Sequence, residues 1–208
     1  MKTCTAAPGA PRSAGADPWL RSGDTAMQDE AACALALLRR PFSAGGVLAL
    51  ALTFSVIAFL RFGWTLRLWC LVPLLIALAV IIVLDLRTKI IPDVLTLPGI
   101  VYALVVAAFM ESPSLGEAVL GAVTGGGIVL LLAVISRGAV GGGDIKLMAM
   151  LGAALGWKGA LAVLAFSQLA AALVALVLLS AHRAGYRDYL PVGAFISFFG
   201  AVMLVGGP

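Results

Sequence analysis

Long, unbroken apolar runs fill this chain from residue 46 onward. They constrain its fold more than any other feature. A bilayer offers the backbone no hydrogen-bond partners, so only helices and closed barrels can cross it. A barrel needs apolar and polar residues in alternation, and these runs do not alternate. Composition agrees: 62% of residues are hydrophobic and 12% charged, against about 45–50% and about 25% in soluble domains. That excludes a soluble globular enzyme, a disordered chain and a disulfide-rich secreted scaffold. The fold class read from the sequence is all-α, a polytopic helical membrane protein.

Seven apolar segments follow from the runs: 46–60, 68–84, 94–110, 118–136, 145–155, 159–181 and 190–206. A span takes about 20 residues, with a range of about 17–25. The fifth segment is too short to span alone. It reads as a half-span or as a helix starting in protein-lined surroundings. Gly121 and Gly125 are spaced for close helix contact, as are Gly152 and Gly156. No internal repeat of the transporter kind is visible.

Residues 1–44 differ in composition, being rich in Ala, Pro, Gly and Ser with scattered charges. They read as a flexible cytoplasmic tail, with 31–40 as a short interfacial helix stopped by Pro41. Met27 is an alternative start. Residues 45–66 read as an extra N-terminal transmembrane segment and 67–208 as the main membrane domain. The net charge of +4 reflects cations flanking apolar runs, not a nucleic-acid partner. A cytoplasmic N-terminus puts Arg39, Arg40, Arg87, Lys89, Arg137, Lys146, Arg183 and Arg187 inside, and Arg61, Arg67 and Lys158 outside. That bias favours this topology. Cys4, Cys33 and Cys70 form no CxxC pair, and His182 is the sole histidine. The reading therefore includes no metal and no cofactor.

Carboxylates are scarce after the tail: Asp85, Asp93, Glu111, Glu117, Asp144 and Asp188. An ionisable group at a membrane span is a functional candidate by default. Asp85 closes the second run in VIIVLDLRTKIIPD, and Asp144 opens the fifth in GAVGGGDIKLMAMLGA. The topology puts both at the cytoplasmic end, where two helices can bring them together. Close carboxylates cannot both ionise easily. One then acts as base on water while the other holds a proton and polarises a carbonyl. Gly141, Gly142 and Gly143 allow the chain to wrap a substrate closely before the helix starts. The competing reading makes Asp144 an ordinary N-cap after a Gly-rich turn.

These motifs resemble the type IV prepilin peptidases. GGGD at 141–144 looks like that family's GxGD motif, LDLRTKIIPD at 84–93 like its first aspartate motif, and YLPVGAFISFFGA at 189–201 like its closing helix. The resemblance covers about residues 68–206. It implies a six-helix peptidase core with one extra N-terminal helix. It also implies a membrane aspartic endopeptidase that cuts the basic leader from pilin-like precursors at the cytoplasmic face of the bacterial inner membrane. Asp85 and Asp144 would be the catalytic pair. The larger members carry an N-terminal domain with CxxC pairs, linked to N-methylation. The absence of CxxC here points to a short, peptidase-only form like those of Flp/Tad pili.

Other residues have plainer expected roles. Asp93 matches the family's IPD position, and its expected role is to cap the third helix; the alternative is substrate contact. Lys146, two positions after Asp144, is expected to snorkel to the interface; the alternatives are that it lowers the pKa of a nearby carboxylate or holds the loop or the substrate. Ser167 and Gln168 are expected to make a helix–helix hydrogen bond. Trp64, Trp69 and Trp157 fit an aromatic belt, and Met148 and Met150 fit helix packing. Two rival classes are a proton- or ion-coupled transporter, which wants carboxylates near mid-membrane, and a non-catalytic assembly protein, which needs neither aspartate.

Overall fold

The computed structural model describes residues 41–89, 91–110, 112–137, 140–180 and 191–206. The expectations for the tail, the 31–40 helix, His182, Arg183, Arg187 and Asp188 lie outside these. The described residues form six helices: α1 (Pro41–Phe62), α2 (Leu66–Thr88), α3 (Asp93–Phe109), α4 (Leu115–Ile135), α5 (Gly142–Ser180) and α6 (Val192–Gly206). The chain is an all-α membrane protein. Four helices contain stretches long and apolar enough to cross a bilayer: Gly45–Phe62, Leu66–Thr88, Leu115–Ile135 and Gly142–Val177. The helices α3 and α6 are shorter, at 17 and 15 residues.

The helix α5 is one element by hydrogen bonding but two by direction. Gly156 breaks it at φ 71° and ψ 177°, a conformation essentially confined to glycine. The chain reverses there. A methyl group placed on Gly125 would stand 2.7 Å from the Met148 carbonyl oxygen and 3.4 Å from Ala160 Cβ. In an unbroken helix those two residues would lie about 18 Å apart. Residues 142–155 therefore run antiparallel to α4, and 157–180 return alongside it. The short fifth and long sixth segments expected from the sequence are these two arms.

Glycine sets the tightest contact in the bundle. A methyl on Gly121 would collide with the Gly152 carbonyl oxygen, and one on Gly152 with the Gly121 carbonyl oxygen. The two small-residue stripes thus pack directly on each other, backbone to backbone. The core around them is apolar, with Leu75, Leu78, Ile81, Leu147, Met148, Met150 and Leu151 all buried. The first arm of α5 is its centre: Met150 lies against Gly99 of α3, Gly152 against Gly121 of α4, and Leu151 against Gly200 of α6. The helix α1 leans on α2 and, less, on α6. Its Phe54 and Ala58 are buried, while Leu48, Leu52 and Leu60 face outward.

Pro41 opens α1, which suits a residue with fixed φ and no N–H to lose. One local expectation changes. The hydroxyl of Ser167 donates to the Leu164 carbonyl of its own helix at 3.1 Å, not to a neighbour. A carbonyl three residues back is always within reach of a helical serine, whereas a partner helix must supply an acceptor at the right height.

Candidate active site

One end of the bundle gathers the chemistry. Asp85 lies in the last turn of α2, where only 4% of its surface is exposed. The helix ends just beyond it at Lys89, whose left-handed backbone (φ 55°) turns its N–H onto the Asp85 carbonyl at 2.9 Å. The Asp85 side chain points to the start of α6. There the Ala194 N–H donates to Asp85 Oδ2 at 2.7 Å. The first N–H groups of a helix have no partner within it, and its dipole favours a carboxylate there. Asp85 thus holds the N-terminus of α6 and is itself fixed in orientation.

Glycine makes that approach possible. A methyl on Gly193 would stand 3.1 Å from the Asp85 carboxyl carbon and 3.1 Å from Oδ2. The same methyl would be 2.6 Å from Ile91 Cδ1. Ile91 also lies against the glycine loop, where a methyl on Gly143 would be 2.8 Å from its Cβ. This one side chain, in the link between α2 and α3, wedges the loop preceding Asp144 against the start of α6.

Asp144 is not the helix cap. The helix begins at Gly142, so Asp144 falls inside its first turn, with its N–H donating to the Gly141 carbonyl at 3.2 Å. A first-turn carboxylate still meets the positive end of the helix dipole, but the cap position belongs to the glycine loop. Asp144 is half-buried, and Ile91 bridges the glycine turn before it to the start of α6 that Asp85 holds. The fold thus brings the two sequence-selected carboxylates to one end, from two different helices. Gly141 and Gly142 are exposed at the rim, and Gly143 is packed on Ile91.

Asp93 and Lys146 form an ion pair, which replaces both expected roles. The cap of α3 is Pro92, with no side-chain hydrogen bond, and Asp93 is the first helical residue. Its carboxylate accepts from the Lys146 ammonium, 53 positions away. Lys146 is therefore tied down beside Asp144 instead of reaching for the interface. The pair joins the start of α3 to the arm that carries Asp144.

Sequence reasoning assigned no role to Ile91, Gly193 or Ala194. The signal for Gly193 was the Pro191–Val192–Gly193 opening of an apolar run, which marks a helix start. The Ala194 contribution is a backbone N–H and leaves no trace in residue type.

Comparisons with known proteins identify the family. The family model described as the type IV leader peptidase family matches residues 72–176. The relatives include proteins named prepilin leader peptidase/N-methyltransferase. One from Burkholderia pseudomallei is 37% identical over 136 residues, covering 63% of this chain and 44% of the relative. One from Myxococcus xanthus is 38% identical over 136 residues, covering 61% and 40%. One from Pseudomonas aeruginosa is 30% identical over 165 residues, covering 77% and 57%. The chain spans about half the length of the curated relatives it matches. No solved structure matches it. The matched stretch runs from within α2 to the second arm of α5 and includes Asp85, the glycine turn and Asp144: this chain belongs to the type IV leader peptidase family.

Proposed function

We propose that the chain is a membrane aspartic endopeptidase that removes the short basic leader from prepilin-like precursors. The placement of Asp85 and Asp144 at the same end of the bundle, on two different helices, is the observation that most supports this reading. In it, residues 67–208 are the peptidase domain and 45–66 an added transmembrane segment. The site faces the cytoplasm from the inner membrane, as the distribution of Lys and Arg favours. The precursor's apolar helix packs against the bundle, and its leader stays in water. The Gly141–Gly143 turn at the start of α5 holds the scissile bond between the carboxyls. One carboxylate takes a proton from water as it attacks the carbonyl, and the protonated partner polarises the carbonyl oxygen. The tetrahedral intermediate then collapses with proton transfer to the leaving amine. N-methylation, the other activity in the relatives' names, is not part of this proposal, because the sequence holds no CxxC pair.

The test is cleavage of a precursor from the same genome by the purified full chain in liposomes, read by mass spectrometry. A single cut between the basic leader and the apolar segment, with no added methyl, is the expected result. Intact precursors after incubation with folded protein, across several substrates, would overturn the proposal and favour the transporter class.

The Asp93–Lys146 pair has a positioning role in this reading. Both side chains are about a third exposed (31% and 37%), so the pair adds little stability. Its effect is on geometry, where small misplacements are costly. Lys146→Met or Asp93→Asn is expected to lower cleavage by about 10- to 100-fold with little change in melting temperature. The swapped pair Asp93→Lys/Lys146→Asp is expected to recover part of that loss. Unchanged kcat in both single variants would remove the role.

A further inference from the structure

The end of the bundle opposite the two aspartates holds a cavity of about 330 Å³. It lies between α2 and α3 and is backed by residues 153–159 of α5, with Met203 and Leu204 of α6 also lining it. Its depth is apolar, with Leu71, Leu74 and Ala107 in the walls. Two cations, Arg67 and Lys158, stand in its lining. Neither forms an ion pair among the described residues. Arg67 lies over the Phe62 ring at 5.0 Å and Lys158 over the Trp157 ring at 5.6 Å. The carboxylate in the lining, Glu117, is engaged by Ser114, accepting from its N–H at 3.0 Å and its hydroxyl at 3.3 Å. The described lining therefore holds two cations and one carboxylate, a net excess of one positive charge.

Its depth in the bilayer is marked independently. Trp64 and Trp69 are exposed at this end, at 78% and 59%, and Trp157 is beside Lys158. Tryptophans of this kind gather at headgroup level. The cations are thus at the height of lipid phosphates, and the apolar walls are at the height of acyl chains. The volume is at the small end for ligand pockets, about 300–1,000 Å³, enough for a single chain.

We propose that this cavity is a phospholipid site, with one acyl chain between α2 and α3 and the phosphate held by Arg67 and Lys158. The single negative charge of an anionic lipid such as phosphatidylglycerol answers the net excess of one positive charge in the described lining. The site is separate from the aspartate end and stands whichever reaction occurs there.

The test is native mass spectrometry of the full chain in detergent, titrated with phosphatidylglycerol. Wild type is expected to retain one lipid with at least about tenfold higher affinity than the Arg67→Gln/Lys158→Gln variant, since each cation near a lipid surface contributes measurably. Ala107→Phe, which fills the apolar depth, is expected to lose the lipid while keeping both charges. Circular dichroism verifies that each variant is helical, and because Lys158 is exposed and Arg67 only partly buried, the charge variant is expected to fold even where the filled one does not. Glycerol 3-phosphate is expected not to compete. Equal lipid retention by wild type and the charge variant would overturn the proposal. Displacement by glycerol 3-phosphate would also overturn it, leaving a free-anion site.

Discussion

Asp85→Asn and Asp144→Asn are each expected to lower precursor cleavage by at least about 10³-fold, because an acid–base pair acts as a unit and its single losses are not additive. Both variants are expected to remain folded. Asn keeps the shape of Asp, and at position 85 its amide oxygen can still accept the Ala194 N–H that Asp85 Oδ2 accepts at 2.7 Å. Asp85→Ala separates the two effects. It removes that acceptor, leaves the start of α6 with an orphaned donor, and is expected to cost about 1–3 kcal/mol of stability besides activity. Rates by mass spectrometry and melting temperatures in detergent decide the matter. Substantial turnover by both Asn variants would sink the two-aspartate mechanism. Equal melting of Asp85→Ala and Asp85→Asn would show that Asp85 does not anchor α6.

The sequence made the helices legible because hydrocarbon permits so few alternatives: long apolar runs, once present, must be helical spans. The two aspartates stood out for the same reason, as scarce charges at the ends of such runs. Even the reversal at Gly156 falls between the short fifth and the longer sixth apolar segments that the sequence shows. What could not be read were the links between distant positions. The Asp93–Lys146 pair joins residues whose own neighbourhoods offered each a simpler role, a cap and a snorkelling cation. Which role wins depends on where α3 and α5 meet, and no local pattern encodes that. The Ala194 N–H on Asp85 is less visible still, since any residue there could donate. Ile91 looked like one more apolar residue in a loop. Its importance comes from the two glycines, Gly143 and Gly193, that leave room for it.

Those same space restrictions predict a large effect far from the aspartates. Gly152→Ala and Gly121→Ala are each expected to destabilise the protein by about 1–3 kcal/mol, and Gly152→Leu to prevent accumulation of folded protein. The reason is reciprocal: a methyl on either glycine meets the backbone carbonyl of the other, and a carbonyl within a helix cannot turn aside as a side chain can. In a bilayer the loss is not offset by apolar burial elsewhere, because lipid already solvates the helix faces and close packing is what holds them together. Gly127→Ala is the control. It lies on the same helix, a methyl there meets nothing within 4 Å, and better helix propensity makes it neutral or mildly stabilising. Equal melting of Gly152→Ala and Gly127→Ala would refute the close approach. The effect is also expected to reach the chemistry. Gly152 and Asp144 share the first arm of α5, so pushing that arm off α4 shifts Asp144 relative to Asp85, which is held from the other side by α6. Cleavage by Gly152→Ala is therefore expected to fall even at temperatures where the protein is fully folded, whereas Gly127→Ala cleaves at the wild-type rate.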